Sequence, residues 1–445
     1  MDSTLAQEII TKTLSFSAAD ETEVLLTHSE ENLTRFSDNI ITQNVARLTD
    51  SLTVKVHCGK KVGRAGVNQF DDDTLRRSVE TAQKIACQQR DTPDLLPLLG
   101  PTQFAKTDAF TEATAVYGPE ERAKVVRRLV TEAEKHHASA AGIFSNGWDA
   151  VALGNSKGLF GYHRASKAIF SATVEIGGQP GWAEDIQQDV NRIEVESVIA
   201  ASIHKAEQAR NPITMPPGEY TVVLEPAAVT DFLMFMAFEG FGGLNYAEGR
   251  SFLSGKLGEK VLGDNITIVD DAYDAMNPGL PFDFEGVPRQ KLILIEHGIA
   301  RQVAHDRYTA KQANAETTGH SLPQPNSTGA FPLNVLMEGG DSNFEEMIRT
   351  TEKGILVTHF HYTNVLDPIK LILTGMTRDG TFLIEDGRVR HAIRNLRFTE
   401  SAVEAFQRVE LISRERKTAD AFFAGRFVAP AIKISKFNFT SISEF

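Results

Sequence analysis

Residues 225–243 read EPAAVTDFLMFMAFEGFGG. Pro226 directly follows Glu225, and Gly240, Gly242 and Gly243 close the run. A proline in the first turn and glycines past the end are the punctuation of a helix. In between, Phe232, Leu233, Phe235, Met236 and Phe238 leave almost no polar face from Asp231 to Glu239. A helix that is apolar all round has to be buried. The stretch therefore predicts a buried helix over 226–243 with the second half of the chain built around it. Glu239 is its anomaly. Either it is a solvated residue at the helix end, or that end faces a cleft.

The composition bounds the rest. A chain of 445 residues is long enough for two or more domains. With 41% hydrophobic and 24% charged residues it has the make-up of an ordinary globular protein. The net charge of −13 argues against a general nucleic-acid surface, which needs clustered Lys and Arg, though it leaves room for a local basic patch. Cys58 and Cys87, the two cysteines, cannot form a disulfide framework and suit a reducing cytosol. The first residues, MDSTLAQEIITKTLSFSAADETEV, have no basic n-region and no apolar h-region, so they do not read as a signal peptide. No window offers about 18 uninterrupted apolar residues, so no membrane span is expected. These features together point to a cytoplasmic protein.

Outward from the central stretch, the preceding segment Tyr220 to Leu224 (YTVVL) reads as a buried strand. Asn211-Pro212 breaks a helix spanning Val195 to Arg210, and the domain boundary is placed there. Upstream, Leu5 to Leu14 and Glu120 to His137 have helical spacing, as does Asp71 to Arg90, which opens with three aspartates that suit a helix N-terminus. Glu23 to His28, Arg47 to His57 and Lys61 to Val67 read as strands. So do Ala140 to Ser145, Ala150 to Asn155 and Ala168 to Ile176, and Gln179 to Trp182 reads as a turn. Downstream, Lys291 to Glu296, Gly354 to Thr358 and Phe427 to Phe439 read as strands, and Thr399 to Val409 as a helix. His320 to Pro332, rich in Gly and Pro, reads as a loop long enough to act as a lid.

The order of several segments resembles the TldD/PmbA family, the "modulator of DNA gyrase" proteins. They are RFSDNIITQN (35–44) and GRAG (63–66) in the first half, then RSFLSGKLG (250–258), ITIVDD (266–271), FDFEGVP (282–288) and LTGMTRDGTF (373–382). The likeness covers nearly the whole chain and is strongest over 218–412. It implies an α+β fold of two domains. Residues 1–212 would form an N-terminal, α/β-sandwich-like domain. Residues 213–445 would form a domain with a large mixed, mostly antiparallel, barrel-like sheet around the buried helix.

In the catalytic branch of that family the helix carries His-Glu-x-x-x-His. Its two His bind zinc, its Glu is the general base, and a Cys near the chain's end is the third ligand. The matching positions here are Phe238, Glu239 and Gly243, and no Cys occurs after Cys87. Phe and Gly offer no donor atom to zinc. The resemblance thus implies a metal-free chain of the TldE/PmbA type, with zinc expected only in a catalytic partner. It would be a non-catalytic subunit of a cytoplasmic peptidase that degrades flexible peptides, as a heterodimer with a TldD-like homologue or as a homodimer. Two alternatives stay open. One is an active metallopeptidase with ligands drawn from His320, His359 and His361. The other is a stand-alone peptide- or protein-binding regulator of gyrase or of a toxin–antitoxin pair.

Among His297, His305, His320, His359 and His361, the last two alternate along a strand and would share a face. With His320 they could make a three-His zinc site, or all three could line a polar pocket. Arg378 and Asp379 sit between predicted strands as a turn with a local ion pair, or Arg378 anchors a peptide carboxylate or a partner. His320, His359, His361, Arg378 and Asp379 are therefore the candidate peptide- or partner-binding residues, and Phe238, Glu239 and Gly243 the degenerate catalytic motif.

Overall fold

The computed structural model describes residues 1–422 and 424–443. The first half is a six-stranded antiparallel sheet. Its strands are β1 (Glu21–Ser37), β2 (Ile40–Cys58), β3 (Lys61–Val67), β4 (Ser139–Asn155), β5 (Phe160–Ile176) and β6 (Gln179–Gln187), in the order β3-β2-β1-β4-β5-β6. The period-2 pattern places Val24 and Leu26 of β1 and Ala152 of β4 with the helices α1 (Ser3–Ser15) and α2 (Asp72–Gln88). Phe144 and Phe170 pack with α4 (Pro119–Lys135), which follows the short α3 (Glu112–Ala115), and with α5 (Val195–Gln208). The opposite face carries Leu153, which packs with Leu159 and with Phe282 from the second half. Aspartates fix two of these helices: Asp2 accepts from the Leu5 N–H and Asp71 from the Thr74 N–H.

Three readings of this half are corrected. Glu23 to His28 is only part of the 17-residue β1. Ala140 to Ser145 and Ala150 to Asn155 are one strand, because Asn146, Gly147 and Trp148 pair straight through with β1 and β5. Gln179 to Trp182 opens β6, and the turn is Gly177-Gly178, both in the left-handed region that glycine tolerates.

The second half holds an eleven-stranded mixed sheet. It comprises β7 (Gly218–Leu224), β8 (Ile268–Asp270), β9 (Leu292–Glu296), β10 (Ile299–Ala300), β11 (Val335–Met337), β12 (Lys353–Asp367), β13 (Ile372–Glu385), β14 (Arg388–Ala392), β15 (Leu396–Ser401), β16 (Val409–Asp420) and β17 (Arg426–Ile442). β17, β15, β13, β12 and β7 follow one another, and β7 pairs back onto β17 from Leu224–Ile432 to Gly218–Phe439, which closes the ring. The β7–β12 pair is parallel.

The helix α6 (Pro226–Glu239) packs chiefly against β17 and β12. Ala228, Val229, Phe232, Leu233 and Met236 are fully buried. Phe232 meets Phe360 of β12, Phe398 of β15, Phe437 of β17 and Phe406 of the helix α10 (Ala402–Gln407), with ring centroids 5.6–6.1 Å apart. Thr399 to Val409, read as one helix, is the end of β15, then α10, then the start of β16. The break falls at Ser401, whose hydroxyl caps the Glu404 N–H.

α6 ends at Glu239, four residues short of the expected Gly243. At the next residue the Phe252 ring packs against Gly240 where a Cβ would collide with it, so only glycine fits at this helix end. The last carbonyls are held by side chains: Asn245 Nδ2 donates to Phe238 O (3.1 Å) and Ser251 Oγ to Gly240 O (2.7 Å).

Phe238, in the first ligand position of the degenerate motif, is not buried in the space that a metal and its ligands would leave: it is 47% exposed and meets the edge of the Phe331 ring. Phe232→Ala is therefore expected to cost about 3–5 kcal/mol and Phe238→Ala about 1 kcal/mol or less. Urea unfolding of the two variants measures the contrast.

Candidate functional site

Glu239 lies at the C-terminal end of α6, partly buried. Burial raises its carboxyl above the usual range, and Arg250 opposes the rise. Gly243 opens the short helix α7 (Gly243–Ala247), and its N–H donates to Ala304 O at 2.8 Å. A Cβ on Gly243 would run into Nδ1 of His305, a buried residue whose Nδ1 also meets Thr309 Oγ1 at 3.2 Å. Thr309 belongs to α8 (Arg307–Ala313), whose first turn is capped by Asp306. The place where the catalytic branch carries its second histidine is thus taken by the ring of a different histidine. His305 was one of five candidate histidines in the sequence, but its closeness to residue 243 has no signal there.

His320 lies elsewhere and is not placed to touch a ligand. It is 1% exposed, with Nε2 at 2.9 Å from Asp270 Oδ1 and Nδ1 at 2.9 Å from Thr318 Oγ1. Asp270 Oδ1 also accepts from Arg289 Nη2 (3.1 Å), and its Oδ2 from the Asn334 N–H (2.6 Å). Burial alone would raise Asp270, but the charge of Arg289 and the bond from His320 outweigh it and hold the carboxyl below its ordinary range. An ionised carboxylate only accepts, so His320 carries its proton on Nε2. This cluster pins one end of the 320–332 loop. The other end is tied to the first by Phe331 N–H donating to His320 O at 3.0 Å. The loop's tip lines a cavity of about 260 Å³ together with Tyr308, His57 and Arg64.

The remaining candidates gather around the β12–β13 ladder. LTGMTRDGTF is inside β13 rather than between strands. Its irregularity is real, however. The register with β12 shifts between Val357 and His359 and again between His361 and Asn364, and Tyr362 and Asp379 both have φ of 51°. Bulges of this kind re-aim side chains. His359 stacks on Trp182 of β6 (4.4 Å, 6° between planes) and bonds to Asp379 Oδ2 (3.2 Å), which also meets Arg378 Nε at 3.4 Å. His361, Arg378 and Asp379 line one cavity of about 910 Å³ between the β5–β6 turn and the second sheet. Burial, then Arg378 and His359, lower His361, so its ring is neutral near pH 7. Arg394 and Arg397 line the same cavity; nothing in the sequence reading had singled them out.

This donor set does not fit zinc. Positions 238, 239 and 243 supply one carboxylate, with the His305 imidazole occupying the direction of a side chain at 243. His320 does not join His359 and His361. Among the described residues no group of three or more His, Cys, Asp or Glu is placed to hold a metal ion. Catalysis by an activated water has no ligand frame at this helix end.

A second set of acids lies where the two sheets meet. Burial pushes Asp231 of α6 to about 7, against the bond from Thr363, with Asp420 adding to the rise. Glu184 of β6 is pushed to about 7 by burial, then by Asp420, while Lys167 opposes.

A fold of this kind, with a helix enclosed by a ring of strands and a sheet-and-helix layer ahead of it, is that of the PmbA/TldA metallopeptidases. The family model of their C-terminal domain matches residues 217–441, and that of domain 1 matches residues 22–86. The chain belongs to this family. It is 23% identical over 416 residues to the metalloprotease PmbA homolog of Haemophilus influenzae, covering 88% of this chain and 87% of that one. It is 28% identical over 210 residues to the metalloprotease TldD homolog of the same organism, covering 45% and 42%. Its fold matches the crystal structure of TldE from Thermococcus kodakarensis with a TM-score of 0.88 at 22% identity, over 98% of this chain and 100% of that one. No helix among the described residues is long and apolar enough to cross a membrane.

Asp231 and Glu184 set a pH dependence. Their ordinary values are 3.8 and 4.5, and in the folded chain both rise to about 7. Over that window the folded chain keeps protons that the unfolded chain has released, so stability falls as pH rises from about 4 to about 7. Urea midpoints from pH 5 to pH 8 are expected to fall less steeply in Asp231→Asn/Glu184→Gln than in the wild type. Parallel curves would show that these carboxyls titrate normally.

Proposed function

We propose that this chain is a metal-free, non-catalytic subunit of a TldD/TldE-type peptidase assembly. On this reading residues 1–212 and 213–445 act as two domains, and the chain binds flexible peptide beside a zinc-bearing homologue in the cytoplasm. The observation that carries the proposal is the fate of position 243. Gly243 has no side chain, and the direction of its Cβ is filled by His305, which is itself tied to Thr309. Phe238 in the other ligand position is exposed and offers no donor atom. The lost ligands are therefore not merely substituted, since the surrounding packing has closed over one of them.

A subunit without chemistry contributes surface. An extended peptide lying along a sheet edge gains main-chain hydrogen bonds with little sequence preference, which suits a substrate that is unfolded. The candidates His361, Arg378 and Asp379, on one cavity wall, are where this chain would meet it. An active enzyme with unorthodox ligands would need His320 beside His359 and His361. A regulator acting alone would need no homologue.

Three measurements separate these readings. Light scattering of the protein mixed with a catalytic homologue is expected to show a dimer of the two, with a changed peptidase rate or substrate range. Elemental analysis of the isolated protein is expected to show well under one zinc per chain. Phe238→His/Gly243→His is expected to gain no hydrolysis and to melt earlier, because His305 must move. A monomer that leaves the homologue's activity unchanged would end the subunit reading, and about one zinc per chain with hydrolysis would favour the active enzyme.

A further inference from the structure

The 910 Å³ cavity is lined by more arginines than acids. The chain carries a net −13, yet Arg378, Arg394 and Arg397 converge on this one wall against Glu175 and Asp379. The ladder accounts for two of the three, and Arg394 joins them from the segment between β14 and β15. His361 of β12 pairs with Met376 of β13, and Met376 pairs with Arg397 of β15, so the three form one row across the sheet. Arg378 is two residues on from Met376 and stands diagonal to Arg397. Diagonal neighbours on one face are within reach of long side chains, and like charges so placed repel.

The chain does little to relieve that repulsion. Arg378 shares Asp379 with His359. Arg394 and Arg397 make no ion pair among the described residues. His361, neutral near pH 7, adds no charge but can donate or accept a hydrogen bond. Met376 and Ile393 provide apolar wall, and the volume lies within the usual range for small-ligand sites, about 300–1,000 Å³.

We propose that this cavity is a carboxylate-binding site in which Arg394 and Arg397, together with Arg378, hold a carboxylate of a bound peptide. The proposal rests on the peptide-binding reading above and gives it a chemical handle. Guanidinium groups grip carboxylates through paired N–H donors in a fixed fork, which a lysine ammonium does not reproduce. The two flanking acids set a limit, since Glu175 and Asp379 disfavour a polyanion such as nucleic acid and leave one carboxylate as the matching charge. The carboxylate comes either from a peptide's C-terminus or from an acidic side chain.

The test uses the full-length protein and fluorescence anisotropy with one short, unstructured, dye-labelled peptide in three forms. The first has a free C-terminus, the second a C-terminal amide, and the third is an amide with an internal Glu. The free acid, the Glu-containing amide, or both are expected to bind about tenfold or more tightly than the plain amide. Which of them does so assigns the source of the carboxylate. Arg394→Gln/Arg397→Gln is expected to remove the preference and Arg394→Lys/Arg397→Lys to restore it only in part. Melting curves that match the wild type show that these variants keep the fold. Equal binding of all three forms, no binding of any form, or a preference that survives the Gln variant would overturn the proposal. Because the isolated protein is used, a failed partner experiment leaves this result standing, and a lost acid preference leaves the assembly result standing.

Discussion

The second half of the molecule depends on the burial of α6. Fourteen residues with an apolar side chain on almost every face can be stable only if something surrounds them. One open sheet would cover a single side. The pairing of β7 with β17 closes the ring β17, β15, β13, β12, β7, and the aromatic side chains of three of those strands and of α10 converge on Phe232. Each aromatic contact adds to the area term, and together they fix one rotation of the helix about its axis.

With the middle of α6 fixed, its ends become the places where polar groups have to be met. At the start, Glu225 bonds to Lys205 of α5 at 2.8 Å and accepts from the Thr358 hydroxyl at 3.4 Å. The helix entry is thereby tied to the first sheet's own helix as well as to β12. At the far end Asn245 and Ser251 satisfy the last carbonyls, and His305 with Thr309 fills the space beside Gly243. Glu239 is left partly buried at this packed end, where burial raises its carboxyl and the charge of Arg250 opposes the rise.

Much of the fold could be read in the sequence because its signals are local. Pro226, the apolar run and the closing glycines gave α6 to within four residues, and the strands read at Arg47 to His57, Lys61 to Val67 and Tyr220 to Leu224 fall in the second part of β2, in β3 and in β7. The misses share a cause. β1 and β4 run on through Glu30, Glu31, Asn146 and Gly147, polar or small residues that look like turn formers but pair along 14 rungs of ladder. The site was harder still. Arg378 and Asp379 were found because they lie in a recognisable block, whereas Arg397 becomes a neighbour of Arg378 only through the β13–β15 register, and Arg394 reaches the same cavity from the segment between β14 and β15, a juxtaposition that no single segment encodes. His320 looked like a ligand in isolation. Its partner Asp270, and the Arg289 that shares that carboxylate, lie 50 and 31 residues upstream, and only the fold reveals the buried charge cluster.

On the subunit reading proposed above, a zinc ligand at position 243 is hard to introduce in a single step, for a reason of coupling. Residues in contact have non-additive effects. A histidine at 243 must displace His305, which breaks its contact with Thr309, and Thr309 is held by the Asp306 cap that starts α8. α8 in turn borders the cavity shared by the 320–332 loop and the first sheet. Restoring one ligand therefore disturbs a packed chain of groups before any coordination is regained. The Arg378, Arg394 and Arg397 wall stands under the opposite condition. Arg378 and Arg397 are brought together by strand pairing, and Arg394 and Arg397 make no ion pair among the described residues, so the fold itself leaves much of their mutual repulsion in place.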